Sequence, residues 1–164
     1  MTPASGASDP RPRLRRADDH DAAAIRDLVK AAYEGYAPLI GRTPIPMLTD
    51  YREAVLAHVI WVLDDGGELV GVLELDPRGD HLWLENVAVL PARQRLGYGR
   101  LLLAHAEAIA QEHQLPEIRL LTNERYVENI AMYERHGYRE THRLPHLGTD
   151  LVHFAKPIDA GRSI

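Results

Sequence analysis

The chain has 164 residues, 45% of them hydrophobic, which fits one domain with a sizeable buried core. Its formal net charge of −5 at pH 7 argues against a nucleic-acid partner, because phosphate binding needs clustered lysine and arginine. The chain contains no cysteine, which excludes disulfides, thiolate metal sites and a cysteine acyl-enzyme. No apolar run is as long as a membrane span and no signal segment opens the chain, so we expect a cytoplasmic protein without a membrane partner.

The first half of the chain predicts a tail, a strand, two helices and a hairpin. Residues 1–12 are rich in Pro, Gly and Ser and are expected to be a mobile tail before a domain at 13–157, with a second tail at 158–164. A strand at 14–16 precedes a helix capped by Asp18 or Asp19. Residues 35–46 carry Pro and Gly and predict a loop, followed by a helix at 47–57 and a hairpin of 59–63 with 68–75.

The second half predicts strands and helices in alternation. A long strand at 81–90 is followed by a helix at 97–113, a strand at 117–121, a helix at 127–136 and strands at 138–143 and 151–155. The buried face of the helix at 97–113 is expected to carry Leu101, Leu102, Ala104, Ala108 and Ile109. This order of elements indicates an α/β single domain with a mixed sheet flanked by helices.

A basic loop with two glycines follows the strand of Val87, Ala88 and Val89 and leads into a helix. Gly97 and Gly99 let the main chain approach a ligand, and a helix N-terminus offers amide donors and positive potential to a phosphate. The dinucleotide-binding fingerprint requires a third glycine three residues further on, where the chain has Leu102. A nicotinamide-dinucleotide site is therefore disfavoured.

The run Gln94-x-x-Gly97-x-Gly99, directly after that strand, resembles the acetyl-CoA motif of the GCN5-related N-acetyltransferase (GNAT) superfamily. Asn129, Tyr133 and the Gly137-Tyr138 pair follow in the order typical of the same superfamily, and the chain is similar to a bacterial subgroup of it. The resemblance implies a splayed, mostly antiparallel sheet and an acetyl-CoA-dependent transfer to a primary amine of a small molecule or peptide. It also implies a homodimer.

The resemblance further implies which residues bind the cofactor. The pantetheine arm and thioester would pair with the backbone of Val87, Ala88 and Val89, as in strand addition. A backbone N–H near Val87 would polarise the acetyl carbonyl. The pyrophosphate would lie on the N–H groups of Arg95, Leu96, Gly97, Tyr98, Gly99 and Arg100, beside Gln94. Asn129 is the expected amide contact, with Asn123 as the alternative, because Tyr126 stands where the common family pattern has asparagine.

The catalytic candidates are Tyr133 as the acid and Glu85 as the base. On spacing alone Tyr133 could equally be a core residue, whereas the resemblance implies that it protonates the leaving thiolate. Strict alternation would put Glu85 on the face of Val87 and Val89, although a strand glutamate paired with an arginine is the competing interpretation. Glu74 on the neighbouring strand is the alternative base.

Substrate recognition is expected upstream of the glycine loop, at Tyr36, Met47, Asp50 and Tyr51. Asp50 would attract an amine and the tyrosines would form apolar walls with polar tips, although these residues would equally serve only to shape the loop. The nine histidines lack the paired spacing of zinc ligands, so no metal site is expected. The competing functional hypothesis is a catalytically silent module that binds CoA or a metabolite as a sensor.

Overall fold

The structure is a computed structural model that describes residues 12–159; the predicted tails at 1–12 and 158–164 lie largely outside the described residues. The strands are β1 (Arg13–Arg16), β2 (Val59–Asp65), β3 (Glu68–Pro77), β4 (Leu82–Val89), β5 (Glu117–Asn123), β6 (Arg139–His146) and β7 (Thr149–Pro157). The α-helices are α1 (Ala22–Tyr33), α2 (Ala37–Ile40), α3 (Tyr51–Ala57), α4 (Tyr98–Glu112) and α5 (Val127–Arg135). Single 3-10 turns lie at Asp19–Asp21, Glu34–Tyr36, Ile45–Leu48 and Pro91–Arg93.

The described strands form one mixed sheet in the order β1-β2-β3-β4-β5-β7-β6. Every neighbouring pair is antiparallel except β4 and β5, which run parallel and pair only at Leu82 with Ile118 and Trp83 with Arg119. From Leu84 onward β4 therefore separates from β5 while it stays paired with β3. The predicted splayed, mostly antiparallel sheet flanked by helices is confirmed.

The core has two layers, one on each face of the sheet. On one face α4 packs Leu102, Leu103 and Ala106 against β3 and β4. On the other face α1 and α3 pack against β2 and β3, with Ile25 and Val29 fully buried. Each fully buried aliphatic side chain of this kind stabilises the fold by about 1.5–3 kcal/mol. The two layers hold the diverging ends of β4 and β5 in place.

Three details differ from the sequence predictions. The predicted loop at 35–46 contains the short helix α2, which Pro38 starts and Gly41 ends with a left-handed φ of 71°. The helix expected from Met47 begins at Tyr51, because the Asp50 side chain caps it by accepting the Arg52 N–H at 3.0 Å. Leu101, Ala104 and Ala108 are exposed rather than buried, since α4 turns Leu103, Ala106 and Ala110 inward together with Leu102 and Ile109.

Ile158, the first residue after the predicted end of the domain, packs against it. Ile158 is buried in the α4-side core and its N–H donates to the Pro116 carbonyl at 2.8 Å. None of the helices within residues 12–159 is long and apolar enough to cross a membrane.

Candidate active site

The glycine loop forms a set of unsatisfied donors at the start of α4. Within residues 12–159, none of the backbone N–H groups of residues 95–100 donates to a protein acceptor. Arg95 and Gly97 take left-handed φ angles of 67° and 86°, which is strained for the arginine and free of steric cost for the glycine. Because the N-terminus of α4 also carries a partial positive charge, the loop is built to bind an anion.

A cavity of about 580 Å³ opens over this loop, and we call it the loop cavity. It lies between the end of β4, the glycine loop and α5, and the C-terminal end of α1 closes it. Every predicted cofactor residue except Leu96 lines it; these are Val87, Ala88, Val89, Gln94, Arg95, Gly97, Tyr98, Gly99, Arg100 and Asn129. Leu96 is 58% exposed and lies outside the lining.

Basic and amide side chains surround the loop cavity. Arg93, Arg95, Arg100 and Arg135 line it, and Arg93 also pairs with Asp65 on β2 at 2.7 Å. Gln94 donates from Nε2 to the Val89 carbonyl at 3.3 Å and so ties the loop to the end of β4. Among the described lining residues these four arginines outweigh the one carboxylate, Glu128.

Gly99 and Asn129 bring the loop close to α5. A Cβ on Gly99 would lie 3.3 Å from the Met132 sulfur, so glycine permits the close approach of α4 to α5. Asn129 on α5 lines the loop cavity and accepts a weak hydrogen bond from the Tyr36 hydroxyl at 3.4 Å. Asn123, the alternative, lies in another wall, where its Nδ2 donates to Thr149 and its Oδ1 accepts the Arg125 N–H. The geometry therefore favours Asn129.

A second cavity of about 230 Å³ adjoins the loop cavity, and we call it the tyrosine cavity. Tyr33, Tyr51, Tyr126 and Tyr133 line it, together with the β4 residues at positions 83–86 and the β5 residues at 121–123. The cavity lies where β4 and β5 separate, and most of its lining is apolar. Its size suits a small organic molecule.

Tyr33 belongs to both cavities and forms the wall between them. Its hydroxyl donates to Asn86 Oδ1 at 2.6 Å, and its ring lies 6.3 Å from the Tyr126 ring, edge to face. Asn86 faces the tyrosine cavity, whereas Val87, the next residue of β4, lines the loop cavity. Two consecutive residues of β4 therefore line the two different cavities.

Tyr133 lies on the α5 wall of the tyrosine cavity and is 4% exposed. Its ring packs against Tyr138 and Phe154, at centroid distances of 5.7 and 6.1 Å. Burial raises the pKa of the Tyr133 hydroxyl well above its ordinary value, so the group stays protonated at neutral pH. Tyr133 is therefore packed in the core, as its spacing in the sequence allowed, and it also lines a cavity.

Glu85 does not continue the predicted alternation of β4. Asn86 pairs with Glu74 and Leu84 with Leu75, so Glu85 is the extra residue of a β-bulge. Val87 packs in the α4-side core, whereas Glu85 is exposed and accepts the Trp83 indole N–H at 2.7 Å. The shared face with Val87 is therefore wrong, although Glu85 still lines the tyrosine cavity and its role as base stays a prediction.

Glu74 is the buried carboxylate of the tyrosine cavity, with 2% of its side chain exposed. Its Oε2 lies 2.7 Å from Nδ1 of His58, at the C-terminal end of α3. Burial raises the pKa of Glu74, and the hydrogen bond with His58 partly opposes that rise. A buried carboxylate with a raised pKa, in a cavity wall, is a typical acid–base group.

The predicted substrate residues are divided among different places. Tyr51 lines the tyrosine cavity and Tyr36 lines the loop cavity. Met47 and Asp50 line neither of them, and the Asp50 carboxylate serves as the cap of α3. A substrate role for these four residues stays a prediction.

Sequence reasoning missed the Tyr33–Asn86 hydrogen bond, Tyr126 as a wall residue and the partnership of Glu74 with His58. Each depends on contacts between segments that are far apart in the chain. The only sign of Glu74 and Asn86 in the sequence is that each is a polar residue within an apolar strand. His146 lines the tyrosine cavity, and His142 stacks on His153 at 4.1 Å. Residues 12–159 contain no group of three or more His, Asp or Glu arranged to hold a metal ion.

The split sheet, the donor-rich loop before α4 and the adjoining cavities define the class of GNAT-fold proteins. The model of the Acetyltransferase (GNAT) family matches residues 22–138, which is most of the chain. The chain belongs to the GNAT acetyltransferase family. No curated protein sequence matches it.

Solved structures share the fold at low sequence identity. A GNAT-family protein from Desulfovibrio desulfuricans superimposes with a TM-score of 0.77 at 21% identity, covering 90% of this chain and 99% of that one. The PaiA N-acetyltransferase from Thermoplasma acidophilum, in complex with coenzyme A, gives 0.74 at 16% identity over 89% and 98%. A GNAT family acetyltransferase from Elizabethkingia anophelis with acetyl-CoA bound gives 0.67 at 16% identity over 92% and 100%.

Proposed function

We propose that this protein transfers the acetyl group of acetyl-CoA to a small primary amine, by direct attack of the amine in a ternary complex. The observation that carries the proposal is the junction of the two cavities at Tyr33 and at consecutive residues of β4, Asn86 and Val87. A donor in the loop cavity and an acceptor in the tyrosine cavity would meet there. Because the chain has no cysteine, it has no thiol that could carry the acetyl group between donor and acceptor.

The residues of the loop cavity fit acetyl-CoA. The six N–H groups of residues 95–100 find no acceptor among the described residues and suit a pyrophosphate, and the N-terminus of α4 adds its dipole. The edge of β4 that faces away from β3 lacks a partner strand after Trp83, so it offers backbone groups to an extended pantetheine arm. The CoA and acetyl-CoA complexes of the fold neighbours support the same assignment. When bound, acetyl-CoA supplies a thioester carbonyl that an amine can attack.

The tyrosine cavity supports an acceptor with an apolar body and an amino group. Tyr33, Tyr51 and Tyr126 provide aromatic walls, while the Glu74 and Glu85 carboxylates attract an ammonium group. A volume of about 230 Å³ favours a small molecule or the end of a peptide. The expected homodimer, the cytoplasmic location and the absence of nucleic-acid and membrane partners stay predictions.

The chain's own residues then divide the proton transfers between them. The Tyr133 hydroxyl, protonated because burial raises its pKa, would give a proton to the leaving sulfur and would regain one from the nitrogen that forms the amide. A backbone N–H near Val87 would hydrogen-bond the carbonyl oxygen as it gains negative charge. A carboxylate of the tyrosine cavity would take the proton of the attacking ammonium, which is the predominant form of an amine at neutral pH.

The test is a panel of primary amines assayed for release of the CoA thiol, which a chain without cysteine reports without a protein-thiol background. We expect turnover with small amines that have apolar bodies, and intersecting double-reciprocal lines when both substrates are varied. Parallel lines would contradict direct attack. Tight CoA binding without turnover of any amine would favour a sensor, and binding of NADH in place of CoA would refute the proposal.

A further inference from the structure

Glu74 lies within a continuous buried stretch of β3. Its chain neighbours Leu73 and Leu75 are fully buried, and Glu74 itself is 2% exposed. A buried carboxylate destabilises a fold unless it is paired, and an apolar residue of similar volume would pack there at lower cost. The presence of an ionisable group at this position therefore calls for an explanation outside stability.

The groups around Glu74 favour a carboxylate that exchanges protons. His58 at the end of α3 is its hydrogen-bond partner, and Tyr51 from the same helix faces it across the cavity. Glu85 on β4 and Asp76 on β3 add negative charge nearby. The acidic neighbours and burial raise the pKa of Glu74, whereas His58 lowers it.

His58 joins this buried carboxylate to solvent. The imidazole is 28% exposed, in contrast to the 2% of its partner, and the two groups are 2.7 Å apart. One end of the pair therefore faces the tyrosine cavity and the other faces water.

The position of Glu74 relative to β4 also suits proton abstraction. Glu74 is directly opposite Asn86 in the β3–β4 pair, and Asn86 is the residue that precedes Val87 at the junction of the two cavities. Glu85, by comparison, is on the bulge, exposed, and holds the Trp83 indole. Water and Trp83 both compete for the Glu85 carboxylate.

We propose that Glu74 is the general base for the acceptor amine and that His58 is a positioning residue that holds the Glu74 carboxylate ionised and in place; this inference rests on the proposed function. His58 donates its Nδ1–H to one oxygen of the Glu74 carboxylate. The carboxylate takes one proton from the ammonium, which leaves a neutral amine with a free electron pair. Glu74 then releases that proton to water, so the pair returns to its initial state and one proton has moved from the ammonium to solvent.

The test compares pH profiles of kcat/KM for an amine that the wild type acetylates. Glu74→Gln keeps the shape of the side chain and removes the base, so we expect a loss of about 100-fold at neutral pH. The loss should shrink by about tenfold per pH unit as the medium deprotonates the amine. Glu53→Gln, the same change at an exposed glutamate of α3 outside both cavity linings, is the matched control and should keep kcat/KM within about twofold.

His58→Gln provides the second readout. Because His58 lowers the pKa of Glu74, its removal should raise that pKa and move the acidic limb of the profile to higher pH. Affinity for CoA, measured by calorimetry, should be unchanged in both variants, since neither residue lines the loop cavity. A purely structural role would lower thermal stability without moving the limb.

The outcomes separate this inference from the proposed function. Full activity of Glu74→Gln, or a larger loss in Glu85→Gln than in Glu74→Gln, overturns the assignment while acetyl transfer stands. An acidic limb that does not move in His58→Gln overturns the role of His58. A wild-type chain that binds CoA and acetylates none of the amines overturns both.

Discussion

Tyr133 and Tyr138 are neighbours in the same buried cluster, with ring centroids 5.7 Å apart, yet their hydroxyls have different surroundings. The Tyr133 side chain lines the tyrosine cavity, whereas the Tyr138 hydroxyl is buried without a hydrogen-bond partner. Burial raises the pKa of both phenols. Substituting each tyrosine in turn therefore distinguishes the effect of a hydroxyl that faces a cavity from the effect of a buried hydroxyl.

Tyr133→Phe should lower kcat by about 100-fold, because the leaving sulfur loses its proton donor while the aromatic packing remains. Since the raised pKa keeps Tyr133 protonated, wild-type kcat should show no alkaline fall caused by this residue below about pH 10. Steady-state kinetics across pH checks both expectations.

Tyr138→Phe is the matched control for this variant. It removes a buried hydroxyl that has no partner, so stability should stay equal or rise slightly and kcat should not change. Equal kcat in Tyr133→Phe and wild type at every pH would show that Tyr133 is only a packing residue.

At the scale of single elements, features that depend on neighbouring residues of the chain were predictable from the sequence, whereas features that depend on strand pairing were not. The glycine loop was predictable because its donors, its φ angles and the start of α4 depend on neighbouring residues of the chain. The bulge at Glu85 was not, because it exists only through the register of β4 against β3. Likewise, Glu74 and His58 are 16 positions apart, and Tyr33 and Asn86 are 53 apart, so spacing carries no sign of either contact.

The loop before α4 gives a prediction at this scale. Gly97 caps α4 with a φ of 86°, and no neighbouring atom lies within 4 Å of a Cβ built on it. Gly97→Ala should therefore destabilise the protein by about 1 kcal/mol through backbone strain alone. That loss corresponds to a fall in Tm of roughly 2–4 °C, which calorimetry can measure.

Gly79→Ala is the control, because Gly79 also has open space around its Cβ position but no left-handed φ. Its Tm should stay at or slightly above the wild-type value, since alanine restricts the unfolded chain. An equal fall in both variants would mean that strain at Gly97 is not the cause.

At the scale of the whole molecule, the sheet is held together in its centre by two core layers and opened on one side for function. The α4-side layer and the α1-side layer cover opposite faces of β3 and β4, so packed side chains support the split between β4 and β5 from both sides. The fold could be predicted from the order of the elements and the glycine loop, because both are shared by the family. The acceptor could not, because the walls of the tyrosine cavity come from segments spread along the chain from Tyr33 to Leu151.

Binding of acetyl-CoA should stabilise the whole domain, since the ligand needs the folded loop and the folded β4 edge together. At a concentration about 100 times its Kd, the ligand adds about 2.7 kcal/mol to the free energy of unfolding. For a domain of this size the Tm should rise by roughly 5–10 °C. NADH at the same concentration is the control and should leave Tm unchanged; the reverse pattern would contradict the assignment of the loop cavity.

The wall formed by Tyr33 has an energetic consequence for the two ligands. Tyr33 lines both cavities, so we expect a ligand that shifts its side chain in one cavity to change the affinity of the other cavity for its own ligand. Linkage is reciprocal: the factor by which the cofactor changes the Kd of the amine equals the factor by which the amine changes the Kd of the cofactor. In a dead-end complex with CoA and an amine, this factor can be measured by titrating either ligand into protein that is saturated with the other. We expect the hydrogen bond between Tyr33 and Asn86 to determine its size.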